Sequence, residues 1–220
     1  MTDTTPDHDL ADLRQDYKRG ALDEESVRPD PVDQFAVWFY EARSANLTEP
    51  NAMIVATVSA AGLPSARTVL LKGFGADGFR FYTNYESQKG RDIAANGRIA
   101  LLFYWAELER QVRIDGTVER LDRETTRAYF NSRPRGSQLS ALASPQSRPI
   151  DSRDALDAMF EHAEAEHDSG EVPLPDYWGG YLVVPARFEF WQGRPSRRHD
   201  RITYEHTPGT AGWSIGRLAP

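Results

Sequence analysis

Short apolar segments rich in β-branched and aromatic residues recur along the middle of the chain, and turn-forming residues separate them. The segments are residues 52–59, 65–72, 79–83, 98–104 and 110–119. Their length and composition predict β-strands. Gly62 and the Asp77-Gly78 pair mark short connections, so the first three segments are predicted to form an antiparallel meander. We therefore expect a fold built around an antiparallel sheet or barrel of at least five strands.

Helices are predicted beside this sheet. Asp30 can cap a helix in which Pro31 occupies the first turn and which extends to Asn46. The other predicted helices cover residues 88–96, 123–132, 138–143 and 151–167. Residues 1–30, by contrast, are rich in Asp and Thr and have few large apolar side chains, so they are predicted to be a mobile segment. Residues 31–220 are predicted to form one domain, since the whole chain has 220 residues.

Composition excludes several classes of function. The chain contains no cysteine, which excludes disulfides and thiolate metal sites and favours a reducing cytoplasm. It has no apolar run long enough to cross a membrane and no signal-peptide pattern, so we expect no membrane partner. A net charge of −7 opposes general binding to nucleic acid. Local basic clusters are therefore predicted to bind small anions.

The stretch of residues 188–202 combines an aromatic run, a turn and a basic segment, which predicts a β-hairpin. If its second strand is extended, the period of two places Arg197, His199 and Arg201 on one face. A bound anion would relieve the repulsion among them. The alternative is an edge strand that charge protects from pairing. The preceding Trp191 favours a site for a flat aromatic ligand.

A strand over residues 179–184 is predicted to lead into this hairpin, and a strand over residues 213–218 is predicted to close the sheet.

Two other places have the residues of a phosphate site. Lys89 is predicted in the first turn of a helix, where a cation opposes the helix dipole unless an anion binds there. Tyr129 and Arg133 are four residues apart on a predicted helix, and Ser137 follows them. The arginine has an alternative explanation, which is that it complements the dipole at the helix C-terminus.

Several short motifs occur in the order typical of one enzyme family. They are RTVLLK at residues 67–72, FYTN at 81–84, SQKG at 87–90, SRPRGSQ at 132–138, FWQG at 190–193 and RRHDR at 197–201. On these motifs the chain resembles the pyridoxine/pyridoxamine 5′-phosphate oxidase family, flavin enzymes that make pyridoxal 5′-phosphate. The similarity extends from about Arg14 to the last residue. It departs at Gln88, where relatives often carry a second basic residue beside Lys89.

The resemblance implies a mainly β fold with flanking helices, the antiparallel, Greek-key-like FMN-binding split barrel. It implies a homodimer with FMN at the subunit interface. The residues that correspond to FMN contacts are Arg67, Thr68, Val69, Leu70, Leu71, Lys72, Tyr82, Thr83, Gln88, Lys89, Gln111, Gln146, Ser147, Trp191 and Arg201. Those that correspond to substrate contacts are Arg14 and Tyr17 in an N-terminal lid, then Lys72, Tyr129, Arg133, Ser137, Arg197 and His199.

The implied reaction is hydride transfer from the 4′ carbon of pyridoxamine or pyridoxine 5′-phosphate to FMN, which dioxygen then reoxidises to give hydrogen peroxide. Arg197 and His199 are the expected catalytic residues, either by stabilising charge or by accepting a proton. Two alternatives remain from the residues alone. The chain could be another split-barrel flavin or deazaflavin reductase, or a flavin or pyridoxal phosphate carrier that performs no reaction.

Overall fold

The computed structural model describes residues 16–206 and 212–220. Within them, nine strands form one antiparallel sheet in the order β2-β1-β5-β6-β7-β4-β3, with β8 paired to β7 and β9 paired to β8. The strands are β1 (Ala52–Val58), β2 (Pro64–Leu70), β3 (Gly73–Gly75), β4 (Gly78–Asn84), β5 (Arg98–Trp105), β6 (Arg110–Arg120), β7 (Trp178–Gln192), β8 (Asp200–His206) and β9 (Trp213–Arg217). The predicted antiparallel β core is confirmed.

The five helices in the described part of the chain begin close to their predicted positions. They are α1 (Pro31–Ser44), α2 (Gln88–Asn96), α3 (Arg123–Ser132), α4 (Arg135–Ala143) and α5 (Arg153–Glu166). Asp30 caps α1 by accepting hydrogen bonds from the amides of Val32 and Asp33. Ser87 and Asp122 cap α2 and α3 in the same way. A side-chain oxygen at each of these positions satisfies amides that the first helical turn leaves unpaired.

The longest strand, β7, organises the sheet. Its first half pairs with β4, its second half pairs with β8, and β6 runs beside almost its whole length. The register with β6 shifts at a bulge between Asp115 and Gly116. A side chain at Gly116 would place its Cβ 2.3 Å from the carbonyl oxygen of Val184, so only glycine fits this bulge. The bend lets β7 pair with β4 along its first half and with β8 along its second half.

Curling brings the distant ends of the sheet together. Strands β2 and β4 are far apart in the strand order, yet both line one cleft. The amide of Lys72, just after β2, donates to the carbonyl of Arg80 on β4 at 2.8 Å. The main core fills the interior of the curled sheet, with Phe35 of α1 among buried aromatic side chains from β4, β5 and β7. A second apolar cluster, around Phe130 and Trp178, packs α3, α4 and α5 against the start of β7.

Two predictions of local connectivity were wrong. Residues 52–83 do not form a meander, because β2 pairs only with β1 while β4 pairs with β3 and β7. Residues 179–184 are not a separate strand, since β7 continues through Pro185 to Gln192. Local turn chemistry indicates where a strand ends, but the partner of a strand depends on how the sheet closes.

The hairpin after β7 also differs from the prediction. A 3-10 turn covers Pro195–Arg197, with Ser196 and Arg197 at φ 58°, and β8 begins only at Asp200. Arg197 and His199 therefore lie in the connection and do not share a strand face with Arg201. Proline fixes its own φ and has no amide to donate, which opposes strand pairing at this point.

None of the helices formed by the described residues combines the length and apolar character that a membrane crossing requires.

Candidate active site

A cleft of about 470 Å³ lies where β2 and β4 approach each other beneath α2, α3 and α4. It is lined by side chains that the sequence places far apart. They are Arg67, Thr68, Val69, Leu70, Lys72, Tyr82, Thr83, Lys89, Tyr129, Arg133, Pro134, Ser137, Gln146 and Trp178. Most of these residues were predicted to bind cofactor or substrate. The structure therefore brings the two predicted phosphate sites into one cavity.

Lys89 lies at one end of the cleft and is only 8% exposed. Its ammonium donates to Thr83 Oγ1 and Gln146 Oε1, both at 3.1 Å, and lies 3.4 Å from Ser87 Oγ. All three partners are neutral. Burial, reinforced by the charge of Arg67, lowers the pKa of Lys89 to about 8. An anion at this position would supply the counter-charge that the described residues do not provide.

Arg67 is held beside Lys89 by a small polar network. Its guanidinium donates to Thr57 Oγ1 at 2.7 Å, to the Val55 carbonyl at 3.1 Å and to the side chain of Ser65. Asp92, 6% exposed, accepts the Thr57 hydroxyl at 2.7 Å and lies 3.9 Å from the guanidinium. Burial lowers the pKa of Arg67, and Asp92 opposes this shift. The carboxylate thus fixes the orientation of Arg67.

This network was not predicted from the sequence. Ser65 and Arg67 are two residues apart on β2, so their side chains lie on the same face of the strand. Thr57 is the cross-strand partner of Ser65. Asp92 lies one helical turn after Lys89 on α2. Those spacings are a detectable signal, because polar residues that share a face at a buried end of a sheet need one another as partners. Gln88 lies at the same place and its amide nitrogen is 3.3 Å from Ser65 Oγ.

Aromatic rings form the wall at the other end of the cleft. The rings of Tyr82 and Tyr129 stack with centroids 3.8 Å apart, and Trp178 lies parallel to both. The guanidinium of Arg133 lies 4.7 Å from the Trp178 ring centroid. Burial lowers the pKa of Arg133, and its NH1 atom is buried with no hydrogen-bond partner among the described residues. A buried cationic donor in this state fits an anionic oxygen. Ser137 lines the same end.

A second group of predicted site residues lies elsewhere. We call it the corner cluster, because it surrounds the β7–β8 corner. It consists of Tyr17, Gln111, Trp191, Arg197, His199 and Arg201. Gln111, Trp191 and Arg201 are register neighbours on β6, β7 and β8. None of the six lines the cleft.

Hydrogen bonds and ring contacts fix His199. Its ring lies 4.6 Å from that of Trp191, and Tyr17 contacts both rings edge-on. The amide of Arg194 donates to His199 Nδ1 at 3.1 Å, so the neutral imidazole carries its proton on Nε2. Burial and the charge of Arg197 lower the pKa of His199, against the influence of Asp200. The neutral form is therefore favoured near pH 7.

The cleft and the corner cluster lie near opposite ends of β7. Tyr82 pairs with Gly180, whereas Gln111 pairs with Trp191, eleven residues further along β7. At about 3.3 Å per residue this separation is roughly 36 Å along the strand. Within one copy of the chain, the predicted site residues therefore form two separate groups.

Three further predicted site residues lie outside the cleft lining or outside the described residues. Leu71 is buried in the core and does not line the cleft. Ser147 adopts a left-handed conformation with φ 68° beside Gln146, outside the cleft lining. Arg14 lies outside the described residues.

The amino-acid sequence matches two family models along most of its length. Residues 39–167 match the model of pyridoxamine 5′-phosphate oxidase. Residues 178–220 match the model of the pyridoxine 5′-phosphate oxidase C-terminal dimerisation region. The pyridoxine/pyridoxamine 5′-phosphate oxidase of Cupriavidus taiwanensis is 58% identical over 214 residues, which cover 96% of this chain and 99% of the relative.

Solved structures show the same fold. PhzG from Burkholderia lata 383, in complex with tetrahydrophenazine-1-carboxylic acid, superposes with a TM-score of 0.84 at 27% identity. The match covers 91% of this chain and 98% of PhzG. A pyridoxamine 5′-phosphate oxidase-related, FMN binding protein from Nostoc punctiforme PCC 73102 superposes with a TM-score of 0.67 at 20% identity, covering 89% and 99% of the two chains. The predicted split-barrel architecture is thereby confirmed.

Proposed function

The chain belongs to the pyridoxine/pyridoxamine 5′-phosphate oxidase family, and we propose from that premise that it oxidises pyridoxamine 5′-phosphate or pyridoxine 5′-phosphate to pyridoxal 5′-phosphate. The observation that carries the proposal is the cleft. It combines two cationic ends with a stacked aromatic wall, which is what two phosphorylated aromatic molecules require. The complete lack of cysteine supports a cytoplasmic location.

The residues of the cleft fit FMN as cofactor. Lys89 and Arg67 offer two cations to a phosphate, and within residues 16–206 and 212–220 the partners of Lys89 are all neutral. The edge strand β2 pairs only with β1 and lines the cleft with residues 67–70. When bound, FMN supplies the acceptor for the hydride that leaves the substrate, and dioxygen is its proposed oxidant.

The other end of the cleft is proposed to hold the substrate phosphate. Arg133 NH1 is buried and unpaired within the described ranges, and a phosphate oxygen would satisfy it. Tyr129 and Ser137 add hydroxyl groups at the same end, and Lys72 adds a charge at the rim. With both phosphates held, the aromatic rings between them would be positioned for transfer without a nucleophile from the protein.

The separation of the corner cluster from the cleft supports a dimeric site. The C-terminal region of the chain matches a dimerisation region, in agreement with the predicted homodimer. We propose that the corner cluster of a second copy completes each cleft and that FMN lies at the interface. The two groups lie roughly 36 Å apart along β7, and two copies related by a two-fold axis could place the cleft of one copy beside the corner cluster of the other.

In this arrangement Arg197 and His199 would face the substrate ring. His199 Nδ1 already accepts a hydrogen bond from the amide of Arg194, so its Nε2–H is the group free to donate. This supports orientation and charge stabilisation by His199 over proton acceptance. Arg197 forms no ion pair with the described residues, so its charge is available to the substrate.

The proposal is tested by purifying the protein, recording its absorption spectrum and adding pyridoxamine 5′-phosphate without air. We expect a yellow flavoprotein whose flavin band bleaches on addition and returns when oxygen enters, with pyridoxal 5′-phosphate as product. A yellow protein that the substrate does not bleach would instead identify a reductase for another substrate or a non-catalytic carrier. A colourless protein that takes up no FMN would reject the proposal.

A further inference from the structure

We propose that Glu109 is a positioning residue that holds residues 17–19 against the corner cluster and so places Tyr17 beside His199. No part of the resemblance assigns a role to Glu109. Its importance for turnover depends on the proposed function, whereas its hold on the N-terminal segment does not.

The carboxylate of Glu109 binds two consecutive backbone amides of the N-terminal segment. Its Oε2 atom accepts from the amide of Lys18 at 2.8 Å and from the amide of Arg19 at 2.9 Å. The partners are about ninety residues apart in the chain. Hydrogen bonds to an ionised acceptor are stronger than those between neutral groups. This contact therefore fixes the backbone immediately after Tyr17.

The backbone of the same residue is tied to the β7–β8 corner. The carbonyl of Glu109 accepts from the amide of Gly193 at 2.7 Å and from Gln192 Nε2 at 3.2 Å. Glu109 also adopts a left-handed conformation with φ 55°, which is unfavourable for a residue with a Cβ. The side chain thus projects from a constrained turn. Glu109 therefore connects the N-terminal segment to the corner cluster.

The position of Tyr17 explains what this connection achieves. The Tyr17 ring contacts the rings of Trp191 and His199, with centroids 5.7 Å and 5.6 Å away. It also lies directly over Gly193, where an added Cβ would be 2.8 Å from Tyr17 Cγ and 3.0 Å from Glu109 Cβ. The lack of a side chain at Gly193 leaves room for the Tyr17 ring. The carboxylate of Glu109 holds the backbone that follows Tyr17, so the ring stays within the corner cluster.

The rest of the segment has its own attachments. Arg194 donates to the carbonyl of Gly20 at 3.1 Å, and the amide of Leu22 donates to Asp200 at 3.0 Å. Leu22 is also buried in the core. Loss of the Glu109 carboxylate should therefore release residues 17–19 while the chain from Gly20 onward stays in place.

This local release can be measured with trypsin, because Lys18 and Arg19 are themselves trypsin sites. In the FMN-loaded, full-length protein we expect Glu109→Ala to speed cleavage after these two residues at least tenfold. Glu109→Gln retains an acceptor oxygen and should show a smaller increase. Glu107→Ala is the matched control, since the exposed Glu107 side chain forms no hydrogen bond or ion pair with residues 16–206 or 212–220. Unchanged cleavage in Glu109→Ala would overturn the proposal.

A second variant should also release residues 17–19 while leaving the Glu109 carboxylate in place. Gly193→Ala should displace Tyr17 by contact and should also speed cleavage after Lys18 and Arg19. Thermal unfolding of both variants checks that the domain remains folded, because a general loss of structure would open many other trypsin sites.

The link to turnover is tested separately. For pyridoxamine 5′-phosphate, Glu109→Ala should raise KM about tenfold and change kcat less, with partial rescue in Glu109→Gln. Faster cleavage with unchanged KM and kcat would show that the contact holds the segment but does not position the substrate site, and would reject that part. A wild-type protein without oxidase activity would reject the proposed function. It would leave the hold of Glu109 on residues 17–19 untouched, because the cleavage assay does not depend on turnover.

Discussion

The cleft and the corner cluster differ in how their positive charges are balanced. In the cleft, Lys89 has only neutral partners and Arg133 has a buried unpaired nitrogen among the described residues. In the corner cluster, Arg201 already binds Glu189, a carboxylate only 2% exposed, at 2.8 Å. The cleft carries the unbalanced charge.

This difference indicates different tasks for the two regions. Burial of a cation without a counter-charge costs free energy, and a bound anion recovers that cost. We therefore expect the cleft to bind phosphate groups. In the corner cluster, paired charges and packed rings hold fixed positions, which suits orientation of a reacting ring. Arg197 is the exception there, since it has no ion-pair partner in the described ranges.

The largest expected effect tests the orienting role of the corner cluster. Arg197→Leu should slow reduction of the flavin by pyridoxamine 5′-phosphate about 100-fold or more, because misplacement of the reacting ring has effects of this size. FMN content should be unchanged. Anaerobic stopped-flow absorbance measures the rate, and Arg198→Leu, at the exposed neighbouring position, is the control. Reduction at the wild-type rate would remove Arg197 from the mechanism.

The next effect tests the unbalanced charge at the aromatic end of the cleft. Arg133→Met should raise KM for pyridoxamine 5′-phosphate roughly 10- to 100-fold. A factor of this size corresponds to the free energy of one lost hydrogen bond to a charged group. The ligand-free protein should unfold at the same or a higher temperature, because the substitution also removes a buried unpaired donor. Arg135→Met lies outside the cleft lining and should leave KM unchanged. If Arg133→Met unfolds at a lower temperature and has a normal KM, the cleft does not carry an unbalanced charge at Arg133.

The third effect is a pH dependence at Lys89. Its pKa is about 8 because burial disfavours the cation, and a bound phosphate would raise that pKa. Between about pH 7 and pH 8 most of the lysine and of the FMN phosphate are already charged before binding, so affinity for FMN should change little there. Above pH 8 binding must take up a proton, and Kd should rise up to tenfold per pH unit. Fluorescence titration of FMN measures this. Lys89→Met should bind weakly with no such slope; an equally steep slope in that variant would assign the proton elsewhere.

The smallest effect concerns the residue that orients Arg67. Asp92→Asn keeps the size of the side chain but removes its charge, so FMN affinity should fall about fivefold, the equivalent of about 1 kcal/mol. Isothermal titration with FMN measures the change. Asp154→Asn, at an exposed position on α5, is the matched control. If Asp92→Asn binds FMN like the control, the network around Arg67 is structural only.

The sequence alone predicted the parts of this protein that depend on neighbouring residues. The cap at Asp30 marked the first helix, and apolar segments marked most of the strands. Tyr129, Arg133 and Ser137 lie within one short stretch, so their proximity was predictable, although Arg133 follows the end of α3 and Ser137 lies on α4. The motif order indicated the family, which the matches along the chain then established.

The pairing of strands and the separation of the two partial sites were decided only by the tertiary structure. The position of β4 beside β7, the hold of Asp92 on Arg67 and the placement of Trp191 far from Tyr82 all join residues distant in the chain. Helical and strand periodicities report only which face a side chain occupies. They contain no information about which surface that face meets, because that depends on how the whole sheet curls and closes.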